Sequence, residues 1–187
     1  IRRAPATMLA ALTDGFVFAA IFSFFLIYVQ REGYTEQGAL TLLIVLSVGN
    51  VCLQYPVGMI ADKYDRRVLL IIFAMLIAVF TAVFPFTLGD PFLSWPLLFL
   101  WGGVLGGIYT CGLALVGQRF SRKELAPANA TFIFVYELGH LTGPPIAGFA
   151  IALWDPHGLI VLAVSAGVVF ALFATIRHVS QRGKDSA

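Results

Sequence analysis

Gly58-Met59-Ile60-Ala61-Asp62-Lys63-Tyr64-Asp65-Arg66-Arg67 sets five charged residues within six positions, between two long and almost uncharged apolar stretches. A charged side chain at the centre of a bilayer costs about 2.5–3.5 kcal/mol even on lenient insertion scales, so this block marks a turn at a water-facing surface. The stretches that it separates are therefore expected to be membrane helices.

Outward from the block the chain stays apolar. It is 59% hydrophobic and 12% charged over 187 residues, with a mean hydropathy of +0.89. That is more apolar residue, in longer runs, than a soluble core requires. Six runs can be traced, at 4–30, 38–61, 68–88, 92–117, 126–154 and 159–176. Each is near or above the ~20 residues that cross ~30 Å of hydrocarbon as helix. The first is too long, and too poor in small-residue cleavage signals, for a secretory signal. The fold class expected is thus an all-α integral membrane bundle of six transmembrane helices over 1–178, followed by a polar tail at 179–187 that frays.

The bases fix an orientation. Arg2 and Arg3 precede the first run, and Lys63, Arg66 and Arg67 separate the second and third. Arg119, Arg122 and Lys123 separate the fourth and fifth, while Arg177, Arg182 and Lys184 follow the sixth. The opposite connections carry only Arg31, with Asp90 and Asp155 in the short loops at 89–94 and 155–158. By the positive-inside rule both termini are expected to be cytoplasmic. The net charge of +2 is then a topological signal and gives no reason to expect nucleic acid as a partner. Cys52 and Cys111 each lie inside an apolar run without a neighbour at metal or redox spacing, so both are read as small core residues, and no metal or cofactor is expected.

The fifth run carries Tyr136-Glu137-Leu138-Gly139-His140-Leu141-Thr142-Gly143-Pro144-Pro145-Ile146-Ala147-Gly148. Gly139 and Gly143 share a face along which a neighbouring helix can approach closely, and Pro144 and Pro145 would bend or loosen the helix. Glu137 and His140 stand three apart, about ten residues into the run, or ~15 Å at ~1.5 Å per residue, which is mid-bilayer. A carboxylate beside an imidazole can take up and release a proton, and it can also form a simple self-neutralising pair. In the first run Thr7, Asp14, Phe18, Ile21, Phe25 and Tyr28 share a face, giving a candidate cavity wall with one acid and several aromatics. In the second run Asn50 and Gln54 are four apart, placed to bind a substrate or to bond an adjacent helix. Gly102, Gly103, Gly106 and Gly107 in the fourth run form two overlapping G-x-x-x-G pairs, for which close helix contact suffices.

The charged block resembles the loop signature of the major facilitator superfamily, roughly G-x-x-x-D-R/K-x-G-R-R/K, at Gly58, Asp62, Lys63, Arg66 and Arg67, with Asp65 where the fuller pattern has a second glycine. The fifth run, with Gly139, Gly143, Pro144 and Gly148, resembles that family's glycine-proline signature. The resemblance covers nearly the whole chain. It implies helices seven to twelve of a bacterial inner-membrane secondary transporter, one half of a twelve-helix fold built as a 3+3 inverted repeat, in which Asp62 and Arg66 latch the cytoplasmic side.

On that footing the expected function is alternating-access movement of a small molecule, as proton-coupled efflux of a drug-like compound or metabolite. Asp14, Glu137 and His140 are the proton-coupling candidates, and Phe18, Phe25, Tyr28, Asn50, Gln54 and Tyr136 are the substrate-cavity candidates. The expected partners are the lipid bilayer, an amino-terminal six-helix half, the substrate and the proton. The chain opens on Ile1-Arg2-Arg3 without an initiator Met, so a fragment is expected, with the other half upstream or in another polypeptide. Two other classes stand beside this one. A membrane scaffold with the same fold would tolerate replacement of Asp14, Glu137 and His140. An embedded enzyme using Glu137, His140 and His157 is disfavoured, because no nucleophile or H-E-x-x-H pair accompanies them.

Overall fold

The computed structural model describes residues 5–185 and consists, over those residues, of seven helices: α1 Pro5–Arg31, α2 Glu36–Cys52, α3 Gln54–Lys63, α4 Arg66–Thr87, α5 Pro91–Arg119, α6 Arg122–Leu153 and α7 Gly158–Asp185. Together α2 and α3 make one broken span, so the six-span bundle stands. The break at Leu53 corrects the continuous helix expected over 38–61. Its cause is Pro56, which has no N–H and whose ring crowds the carbonyl four residues back, at Cys52. Arg2 and Arg3 lie outside the described residues. Residues 179–185 continue α7 as helix.

Five runs, Pro5–Arg31, Glu36–Lys63, Arg66–Thr87, Pro91–Arg119 and Gly158–Ser180, are long and apolar enough to cross a bilayer. The 32-residue α6 is longer than any of them, but Asn129, Thr131, Glu137, His140, Thr142 and three prolines dilute its hydropathy. It runs unbroken through Pro144 and Pro145. Its start lies at Arg122, four residues earlier than expected, because Ser121-Arg122-Lys123-Glu124 forms a capping box. The Glu124 carboxylate accepts from the Ser121 N–H (3.3 Å) and hydroxyl (2.8 Å).

The helices pack as two inverted triplets. α1 lies along α6 and α2 along α5, α4 packs on α5 as α7 packs on α1, and α4 and α7 pair with each other. Exchanging α1, α2–α3 and α4 for α5, α6 and α7 maps this contact pattern onto itself, which is the signature of a 3+3 repeat. Small residues make the two equivalent crossings. A Cβ at Gly139 or Gly143 would collide with the main-chain oxygens of Leu12 or Phe16 on α1. One at Gly49 or Gly102 would collide with those of Phe99 or Leu46 across the α2–α5 seam. Without a hydrophobic drive between helices in lipid, this backbone approach is the main source of packing energy.

The bundle has a basic end, where Arg67, Arg119, Arg177 and His178 converge with Ala6 and Thr7 around a small cavity. At the other end Arg31, the one base expected there, pairs with Asp155. Nearby the Gly89 N–H donates to the Tyr34 hydroxyl at 2.7 Å. Apolar side chains on the outer faces of α4 and α7, such as Met75, Val79, Val169 and Leu172, are left uncovered by the rest of the chain, as a lipid-facing surface should be. Cys111 is buried, whereas Cys52 is exposed at the end of α2, which corrects its assignment to the core.

Gly143→Val is expected to destabilise the bundle by about 1–3 kcal/mol, the usual cost of overpacking, seen as a lower unfolding temperature in detergent. Gly58→Ala, where an added Cβ meets nothing within 4 Å, should leave that temperature the same or raise it slightly, since alanine is the better helix former.

Candidate functional site

Beside the two glycine-lined crossings, α1, α2–α3, α5 and α6 border an open cavity of ≈ 450 Å³ lined by Asp14, Phe18, Asn50, Val51, Gln54, Leu105, Gly106, Tyr109 and Tyr136. Five sequence-predicted residues from four helices thus converge: Asp14, Phe18, Asn50, Gln54 and Tyr136. Asp14 lies nine residues into α1, or ~14 Å along the axis, near mid-span.

Asp14 is 1% exposed. The main chain of Tyr109 lies beside it, yet neither carboxylate oxygen completes a hydrogen bond. Buried carboxylates are normally paired or heavily hydrogen-bonded, because desolvating a bare one is costly. A membrane-buried acid without a partner is by default a candidate functional group.

The amides of Asn50 and Gln54 both line the cavity and tie α2–α3 to α5. Asn50 Nδ2 donates to the Gly102 carbonyl at 3.0 Å. Gln54 Oε1 accepts from the Thr110 hydroxyl at 2.9 Å. Gly106 leaves the room in which the Gln54 amide sits, since a Cβ there would overlap its nitrogen. Of the two alternatives left open by the sequence, the bond to an adjacent helix is made by both residues, and both also border the cavity.

The aromatic wall is a connected set. Tyr109 meets Tyr136 edge-on at 4.9 Å between ring centroids, Tyr136 meets His140 at 4.5 Å, and His140 stacks on Phe18 at 5.6 Å. His140 therefore stands behind the lining rings. Its Nε2 is buried without a hydrogen-bond partner, and its Nδ1 is 3.7 Å from Glu137, whose side chain is 61% exposed. Glu137 lies on the uncovered face of α6 beside the cavity and does not line it.

Phe25 and Tyr28 are corrected from cavity wall to core. Each is 1% exposed, and they pack on Phe84, at 5.4 and 6.1 Å, which in turn packs on Trp101. They share a face with Asp14, but three to four turns farther along α1 that face closes against α4 and α5. Sequence reasoning missed Val51 on α2 and Leu105 and Tyr109 on α5. For the two on α5 the one available signal was position, since Leu105, Gly106 and Tyr109 lie on the side of α5 that the glycine stripe turns towards α2–α3.

At the basic end Arg66 is the centre of the charged block. Its Nη2 is 2.8 Å from Asp62 Oδ1, its Nε donates to the Ala61 carbonyl at 2.9 Å and its Nη1 to that of Ala114 at 3.2 Å. One guanidinium thus fastens the end of α3 to α5. Asp65, at the position where the loop pattern has glycine, caps α4 by accepting from the Arg67 N–H at 2.8 Å. Lys63 is exposed.

The profile of the Major Facilitator Superfamily matches residues 2–186. Among similar curated proteins is the uncharacterized MFS-type transporter YfkF of Bacillus subtilis, 24% identical over 78% of this chain and 37% of that protein. Another is the uncharacterized MFS-type transporter Ent638_1421 of an Enterobacter species, 21% identical over 92% of this chain and 44% of that protein. YcaD of Escherichia fergusonii, also described as an uncharacterized MFS-type transporter, is 21% identical over 96% of this chain and 47% of its own length. The chain thus spans less than half the length of these relatives. No solved structure matches it significantly.

Arg66→Lys should cost about 1–3 kcal/mol of stability, because an ammonium cannot reach the two carbonyls and the carboxylate at once. Asp62→Asn should cost under about 1 kcal/mol, since this side chain is 77% exposed and surface ion pairs contribute little. Paired thermal-unfolding measurements in detergent check the ranking.

Proposed function

Since this chain belongs to the Major Facilitator Superfamily, we propose that it is the carboxy-terminal six-helix half of a secondary transporter in a bacterial inner membrane, with its basic end cytoplasmic. The observation that carries this reading is the cavity between α1, α2–α3, α5 and α6, with a partnerless carboxylate at mid-span. In alternating access a site near the bilayer midplane, between two bundles, opens first to one side and then to the other.

The surfaces flanking the cavity suit such a partner bundle. Val51, Tyr55 and Met59 on α2–α3, and Phe134, Leu138 and Leu141 on α6, are large apolar side chains that this chain leaves uncovered. We assign them to the contact with an amino-terminal six-helix half, in the same or a separate chain. Glu137, on that same face of α6, would then be enclosed at the seam between halves. Asp14 and the Glu137–His140 pair carry the coupling proton, and the carrier moves a drug-like compound or metabolite outward. Asp62 and Arg66 act at the cytoplasmic end: their pairing braces α3 against α5 and presents Asp62 to the opposite half as a latch.

In proteoliposomes holding the complete polypeptide, an imposed pH gradient is expected to drive at least one member of a panel of neutral, cationic and anionic fluorescent compounds against its own gradient. Glu137→Gln should abolish that movement while leaving membrane insertion intact. Gradient-independent silence across the whole panel would favour a scaffold that has kept the fold without transport, and unchanged flux in the Glu137 variant would remove this residue from the coupling route.

A further inference from the structure

This chain's side of the cavity has one formal charge and no counter-charge. Its lining holds a single carboxylate, Asp14, two neutral amides, Asn50 and Gln54, three aromatic rings and small or aliphatic residues. No Lys, Arg or His is among those residues. His140 reaches the cavity only through the rings of Phe18 and Tyr136, on which it packs. The nearby Glu137 faces away on the uncovered side of α6.

A carboxylate that is 1% exposed and bonded to nothing needs neutralising, either by a proton or by the positive charge of whatever enters. The walls supply the rest of such a site. Phe18, Tyr109 and Tyr136 present aromatic surface, and a cation within ~6 Å of a ring face is attracted by the ring quadrupole, most strongly where water is excluded. An anion would meet the Asp14 charge and the same ring faces with the opposite sign. A neutral ligand could bond the halves of the two amides that Gly102 and Thr110 do not use, but it would leave the Asp14 charge without compensation. The volume of ≈ 450 Å³ lies within the usual range for a drug-sized ligand.

We propose that this cavity selects organic cations, with Asp14 as the counter-ion and Phe18, Tyr109 and Tyr136 as the cage for the apolar body of the ligand. The inference rests on the transport reading only in taking the cavity as the ligand site, and it specifies the charge of that ligand.

The test uses the complete polypeptide in detergent and two probes of nearly equal shape and opposite charge, tetraphenylphosphonium and tetraphenylborate. Binding is followed by equilibrium dialysis with radiolabelled probe. The phosphonium should bind at least about tenfold more tightly than the borate. Asp14→Asn, which keeps the side-chain shape, should remove that preference. Tyr136→Leu should weaken the phosphonium by several-fold and leave the borate unaffected.

Equal or stronger binding of the borate overturns the proposal, as does a cation preference that survives Asp14→Asn. Absence of binding by either probe overturns it too. The comparison of the two probes on the unaltered protein needs no variant to fold. Cation binding without flux would leave this inference standing and sink the transport reading. Flux of some compound without a charge preference at the cavity would do the reverse.

Discussion

Two helix crossings at backbone distance hold the bundle. In lipid there is no hydrophobic gain from joining one apolar helix to another, so close van der Waals contact must do the work. Gly139 and Gly143 let α6 lie against the backbone of α1, and Gly49 and Gly102 let α2 lie against that of α5. These are equivalent seams in the inverted repeat. Between these seams α1 also meets α5, where the Tyr109 main chain lies beside Asp14, and the hollow that remains is lined by residues of α1, α2–α3, α5 and α6.

That hollow explains the placing of the polar groups. Asn50 and Gln54 face it and also reach α5, so the wall carrying them is braced by hydrogen bonds to Gly102 and Thr110. Asp14 has no such brace. The contrast separates two kinds of intramembrane polarity: amides anchored to a neighbouring helix, and a buried acid without a hydrogen-bond partner among the described residues. The ring chain from Tyr109 through Tyr136 and His140 to Phe18 couples the cavity wall physically to the Glu137–His140 pair. His140 of that pair touches two of the rings that line the site, Phe18 and Tyr136.

The charged block at the basic end works on another scale. Arg66, with its side chain 16% exposed, bonds to two carbonyls and one carboxylate, so it contributes to stability as well as to any latch. Asp65, which departs from the loop pattern, has its own local task as the cap of α4. The departure is therefore compatible with the turn, because a helix start needs an acceptor there at least as much as it needs a glycine.

The span count, the ends at which the bases gather and the small-residue faces were all legible in the residues, because each depends on local rules: the cost of charge in hydrocarbon, the length of a crossing helix and the absence of a Cβ. Pro56 signalled the break at Leu53, and Ser121 with Glu124 signalled the start of α6, although both required attention to single positions. What one helix alone could not reveal was which part of a shared face opens onto the cavity. Asp14, Phe25 and Tyr28 lie on the same side of α1, yet only the first borders the cavity, since Phe84 and Trp101 on α4 and α5 close over the other two. Likewise Glu137 and His140 are neighbours in sequence, and tertiary packing set one on an open face and the other behind a wall of rings. Periodicity determines direction around a helix axis, whereas depth and enclosure depend on how neighbouring helices converge along it, and that is fixed only when all six spans are assembled.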